Sequence, residues 1–109
     1  EPEKVYHALV AGLLIWISNT HEIKSNRESG YGRYDIMILP KDIKQVGYVM
    51  EFKTVDTEDN ETVESAVESA LAQIEEKKYE TELIARGIKN YKKLAVVFKG
   101  KDVTVKEGK

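Results

Sequence analysis

Apolar residues at Val5, Leu9, Leu13 and Trp16 form one helical stripe, and Tyr6, Val10, Leu14 and Ile17 form a second. The first segment therefore reads as a helix that is apolar around most of its circumference. Pro2 suits its first position, and the pattern carries the helix to about Ser18 or Asn19, packed on a sheet. After a short strand expected around Glu22 to Ser25, Arg33–Leu39 and Gly47–Lys53 are strand-like runs. Pro40 to about Val46 joins them as an antiparallel hairpin. From 62 to 85, Val63, Ala66, Val67, Ala70, Leu71 and Ile74 recur at i, i+3, i+4, i+7, i+8 and i+11, a helical stripe. Asn60 or Thr62 can cap its start, and Gly87 stands where a C-terminal cap belongs. Lys93–Phe98 is an almost unbroken apolar run, suited to the middle of a sheet covered on both faces. Gly100-Lys101 then turns the chain into an edge strand through Val103 and Val105. The order is α-β-β-β-α-β-β, an α/β (α+β) arrangement expected to form a single domain over residues 1–109.

Charges interrupt this pattern at an informative place. Side chains alternate faces along a strand, so Glu51 and Lys53 share one face while Met50 and Phe52 take the other. Glu-x-Lys on a strand is ordinarily a solvated pair worth at most ~1 kcal/mol. Here the preceding strand adds Asp35, and a hairpin register in which paired numbers sum to about 86 sets Asp35 opposite Glu51 on the same face. Two carboxylates with Cβ atoms ~5 Å apart repel each other. A dication between them relieves the repulsion, and hard oxygen donors favour Mg²⁺ or Mn²⁺. Lys53 would then stand beside the metal, able to orient or help deprotonate a water or to offset negative charge growing on a phosphate.

Other polar residues have two readings each. Glu3 and His7 lie four apart on one helical face; either His7 is a satisfied histidine at a helix–sheet contact, or Glu3 or His7 faces the metal site or the residues around it. Asn26–Arg33, with Gly30 and Gly32, is either an active-site rim with Glu28 and Arg33 as accessory groups, or a plain turn held by an Arg27–Glu28 or Glu28–Arg33 contact. No Gly-Lys-Ser/Thr follows these glycines, so the segment is not a P-loop. Gln73, at the edge of the long stripe, either reaches toward the charged sheet face or is a boundary residue.

Composition narrows the class. With 41% hydrophobic and 33% charged residues and no cysteine, the chain has no disulfide framework or thiolate metal site, which fits a reducing, cytoplasmic setting. No apolar run is long enough for a transmembrane helix, and none reads as a signal peptide. The chain opens at Glu1 rather than Met, as a piece of a longer protein would. The formal net charge of −2 is unlike that of most nucleic-acid binders. Its distribution is uneven, however: residues 56–82 hold ten acidic and two basic side chains, and 86–109 hold eight basic and two acidic. The acidic block reads as the solvated face of the helix. The basic block, with Arg86, Lys89, Lys92, Lys93, Lys99 and Lys101, is a source of phosphate-attracting charge.

An Asp on one strand followed by Glu-x-Lys on the next, within an αβββαβ order, resembles the PD-(D/E)XK nuclease superfamily. Tyr6-His7, the run Ser25–Asp35, Glu51-Phe52-Lys53, and Ala70–Ile74 with Tyr79 are similar to the branch found as the C-terminal domain of AAA-ATPase-like proteins. The likeness spans essentially the whole chain. It implies a restriction-endonuclease-like core with a mixed central sheet flanked by helices, here with an extra C-terminal edge strand. It further implies Asp35 and Glu51 as ligands of Mg²⁺ or Mn²⁺, the Phe52 carbonyl as another ligand, Lys53 as the catalytic lysine and Gln73 as the helix-borne glutamine. Tyr34 replaces the name-giving proline, at a position that does no chemistry, and the acidic residue often supplied by the first helix has no obvious counterpart. Gln73 and Tyr79 are six apart, about 240° around a helix, so the Gln-x-x-x-Tyr arrangement of some relatives is not expected.

The implied activity is Mg²⁺-dependent hydrolysis of phosphodiesters, DNA first. Contacts would fall mainly on phosphates, since no recognition helix or aromatic stacking cluster is evident. The rival is a catalytically silent module of the same fold that binds nucleic acid or an ATPase partner. A purely structural α/β domain would explain the core but not the charged strand face. The residues leave the oligomeric state open, a homodimer included.

Overall fold

The computed structural model describes the backbone of residues 2–29, 32–56, 58 and 60–109, and the side chains of these residues other than those of 2–7, 26–29 and 32–34. The elements are α1 (Pro2–Ile17), β1 (His21–Ser29), β2 (Gly32–Pro40), β3 (Gly47–Thr54), α2 (Val63–Lys77), α3 (Thr81–Ala85), β4 (Tyr91–Lys99) and β5 (Asp102–Glu107). The strands form one sheet in the order β1-β2-β3-β4-β5. All neighbours are antiparallel except β3 and β4, which run parallel because α2 and α3 carry the chain back between them. The sheet is mixed and flanked by helices, as expected.

β2 and β3 put alternate residues on opposite faces. Met37, Leu39 and Val49 point to the α2 side, where they form the core with Ile74, Tyr79, Leu83 and Ile88. Burying each large side chain in that layer contributes about 1.5–3 kcal/mol. Gly47 opens β3 where α3 crosses closest. A Cβ there would lie 2.7 Å from Leu83 Cδ2 and 3.3 Å from the Ile38 carbonyl oxygen, so only glycine admits the buried leucine without a shift.

Three expectations change. The first strand is longer than the expected Glu22 to Ser25: Asn26–Ser29 prolong β1, and the pairs Arg27↔Tyr34, Glu28↔Arg33 and Ser29↔Gly32 prolong its hairpin with β2. An edge strand can be polar, because only one of its sides is paired and little of it is buried. Secondly, the helix expected over 62–85 is two. α2 starts at Thr62, whose hydroxyl accepts from Ser65 N at 3.0 Å while Ser65 Oγ accepts from Thr62 N at 3.3 Å, a capping box; Asn60 is not the cap. It stops where Lys78 turns left-handed (φ 52°, ψ 50°), with Lys78 N donating to Glu75 O and Tyr79 N to Ile74 O. α3 ends similarly at Gly87 (φ 84°), the glycine expected to close the longer helix. Thirdly, α1 does not bury both stripes. Leu9 and Leu13 meet the sheet, whereas Trp16, which continues their stripe at the end of the helix, is 85% exposed, and Leu14 on the other stripe faces solvent too. Leu9 and Leu13, with Met50, Leu94, Val96, Phe98, Val103 and Val105, line an apolar hollow of about 330 Å³ on the sheet face opposite α2.

Ion pairs tie the outer elements down. Lys24 Nζ lies 2.6 Å from Glu82 Oε2, and an Arg86 guanidinium nitrogen lies 2.8 Å from Glu22 Oε1, binding α3 and its C-terminal cap to β1. Lys93, almost buried in β4, meets Glu75 at 2.6 Å and Glu80 at 3.4 Å. Part of the basic block is thus spent within the fold.

Candidate active site

β2 and β3 pair as Ile36↔Met50, Met37↔Val49 and Ile38↔Tyr48, numbers that sum to 86. Asp35 and Glu51 follow next in that register, on the face toward α2. Beyond the paired stretch the Phe52 N–H donates to Asp35 Oδ2 at 2.8 Å. Asp35 is half-buried against the β3 backbone, and Glu51 is only 5% exposed.

The electrostatics follow from this crowding. Burial, then the charge of Asp35, raise Glu51, and Lys53 only partly opposes them, so its carboxyl is pushed up to about 7. Burial also raises Asp35, against the Phe52 N–H and the Lys53 charge. Glu51 Oε1 is buried with no hydrogen-bond partner among the described residues. A buried carboxylate oxygen left unsatisfied is costly unless something electropositive faces it.

Lys53 Nζ donates to Gln73 Oε1 at 3.1 Å and stands 3.8 Å from Glu51 Oε2. Gln73 Nε2 in turn donates to the Tyr79 hydroxyl at 3.0 Å. The expectation that Gln73 and Tyr79 diverge is therefore wrong: the 240° separation applies to a continuous helix, and the left-handed step at Lys78 folds Tyr79 back. Tyr79 is the residue that sequence reasoning left without a role. One signal was present: the stripe that runs to Ile74 should continue at 77 or 78, and both are lysine.

Asp35, Glu51, Lys53 and Gln73 are thus gathered on one face, with Phe52 contributing its backbone. The side chains of His7, Glu28 and Arg33, and of Glu3, lie outside the described residues; His7 belongs to α1, and Glu28 and Arg33 stand opposite each other in the β1–β2 hairpin. Among the described residues no group of three or more His, Asp or Glu side chains forms a metal cluster. Two carboxylates with one unsatisfied buried oxygen do fit a hard dication, since Mg²⁺ typically takes one or two carboxylates and keeps several waters. Lys99 stands on this same face of β4, two residues beyond Val97, the partner of Lys53. It has no ion pair among the described residues.

No curated protein matches the chain by sequence. Its mixed five-stranded sheet with flanking helices is the restriction-endonuclease-like arrangement, and a family profile described as PD-(D/E)XK nuclease superfamily matches residues 1–108. The chain belongs to the PD-(D/E)XK nuclease superfamily.

Proposed function

We propose that this protein hydrolyses phosphodiesters of nucleic acid, DNA first, in a reaction that needs Mg²⁺ or Mn²⁺. The observation that carries the reading is the single sheet face on which Asp35, the buried Glu51 with its unsatisfied oxygen, and Lys53 converge. Asp35 and Glu51 would hold the ion. The N–H and C=O of a strand residue leave on the same side, so the Phe52 carbonyl lies on the side of its N–H, toward Asp35, and can add a third oxygen. The bound ion would polarise the scissile phosphate and lower the pKa of a water. Lys53, fixed by Gln73, sets its ammonium beside the attacking oxygen and offsets charge on the phosphate. Lys99 adds attraction for the backbone of the substrate on that face.

The test is incubation of plasmid, linear double-stranded and single-stranded substrates with Mg²⁺ or Mn²⁺. Cleavage should vanish in EDTA, and Lys53→Ala should abolish it while leaving the thermal unfolding curve in place. Undiminished cleavage by that variant would discard the role given to Lys53.

A second reading, a silent module docked on nucleic acid or an ATPase-type domain, is favoured by the exposed Leu14, Ile15 and Trp16 of α1, the helix whose Leu9 and Leu13 line the apolar hollow. Calorimetry separates the two. Mn²⁺ binding that disappears in Asp35→Asn supports the catalytic reading, and no binding at millimolar Mn²⁺ supports the platform.

A further inference from the structure

Lys53 and Glu51 share a strand face and carry opposite charges, so their unrestrained tendency is to close into a direct ion pair at about 2.7–2.9 Å. They are held at 3.8 Å instead. The ammonium is drawn to Gln73 Oε1, at 3.1 Å. An ammonium has donors only, so Gln73 must present its oxygen to Lys53, and its NH₂ must then face an acceptor. That acceptor is the Tyr79 hydroxyl, at 3.0 Å, on a ring 1% exposed and packed in the core. If the amide flipped, the NH₂ would face the ammonium; the Tyr79 hydroxyl can bond either end of the amide, so Lys53 sets which end faces it and Tyr79 fixes where the amide stands.

We propose that Tyr79 is a positioning residue: it locks the Gln73 amide so that Lys53 is held off Glu51, which keeps the carboxylate of Glu51 open for a dication. The proposal deepens the hydrolytic reading and rests on it for the part that concerns the ion. The device depends on the left-handed Lys78, which delivers a core tyrosine to the end of a helix it has already left. Tyr79 touches neither ion nor substrate. Its effect passes through Gln73 and Lys53.

The experiment uses Tyr79→Phe, which keeps the ring in the core and removes only the hydroxyl. In metal-free protein, the side-chain amide signals of Gln73, assigned by their loss in Gln73→Ala, should be dispersed and protected from solvent exchange in the wild type. In Tyr79→Phe they should lose protection and move toward free-amide values. Mn²⁺ affinity by calorimetry should weaken about 3- to 10-fold, the size of one neutral hydrogen bond, and kcat should fall with KM held. Adding Tyr79→Phe to Gln73→Ala should cause no further loss of Mn²⁺ affinity. Unchanged amide signals, or full additivity in the double variant, would overturn the proposal. A wild type that binds Mn²⁺ but cleaves nothing would instead sink the hydrolytic reading, while the amide and calorimetric measurements still decide the role of Tyr79.

Discussion

Glu51 is the residue on which the chemistry and the stability of this protein pull in opposite directions. Its carboxyl is raised from the ordinary value of 4.5 to about 7 in the folded state, by burial first and by Asp35 second. Between these values the folded chain keeps a proton that the unfolded chain gives up, so stability falls as pH rises from about 4.5 to about 7 and stays low above. In chelator, urea unfolding should show the protein less stable at pH 8 than at pH 5 by on the order of 2–3 kcal/mol from this group. Glu51→Gln should flatten that part of the profile, and millimolar Mn²⁺ at pH 8 should restore stability to the wild type but not to the variant. An unaltered pH profile in Glu51→Gln would mean that the carboxyl is not held in the state described. Lys53 and Asp35 were legible in the sequence beside it, because charges on an apolar strand face stand out wherever the period is two. Tyr79 was not legible, because its partner was set by a backbone angle and not by a spacing.

At the scale of elements, the break between α2 and α3 decides what the site contains. Lys78 occupies the left-handed region at φ 52°, where a side chain costs roughly 1 kcal/mol or more and glycine costs little. Lys78→Gly should therefore be neutral or stabilising by up to ~1 kcal/mol. Lys78→Val, β-branched, should lose about 1–2 kcal/mol and weaken the Gln73–Tyr79 bond with it. Thermal unfolding of the pair checks both signs, and equal effects of glycine and valine would contradict the assigned backbone. Sequence reasoning ran one helix through this point because helix ends are ordinarily marked by glycine or asparagine, and here a lysine serves. The strands were easier. The hairpin around Pro40 was legible, its pairs do sum to 86, the register that sets Asp35 opposite Glu51, and Gly100 opens the tight turn between Lys99 and Asp102 as expected. The length of β1 was missed because Asn26–Ser29 carry no apolar alternation; their pairing partner, β2, determines that they are strand.

For the molecule as a whole, the contrast between an acidic middle and a basic end is partly a folding interaction. Burial works against the charge of Lys93, but the hydrogen bond to Glu75 and the charge of Glu80 outweigh it and raise its pKa; the same bond holds Glu75 low. Signs follow directly. The contribution of Lys93 persists below its ordinary pKa and is lost as pH climbs through the raised one, and that of Glu75 is lost as pH falls through its lowered value. Lys93→Met should cost about 2–3 kcal/mol, because it leaves Glu80, nearly buried, without its cation. Adding Glu80→Gln should recover part of the loss. Strict additivity in that double-mutant cycle would show the pair to be uncoupled. Lys89, Lys99, Lys101, Lys106 and Lys109, exposed and without ion pairs among the described residues, are what the basic block leaves for a polyanion. Among the described residues, no helix is long and apolar enough to cross a membrane.

The chain has a single tryptophan, and it stands 85% exposed at the end of α1 rather than in the core. Its indole already sits in water before denaturation, so intrinsic fluorescence should change little as the protein melts. Whatever body settles over that corner of the molecule would shift the emission toward the blue, giving an optical signal for occupancy that requires no label.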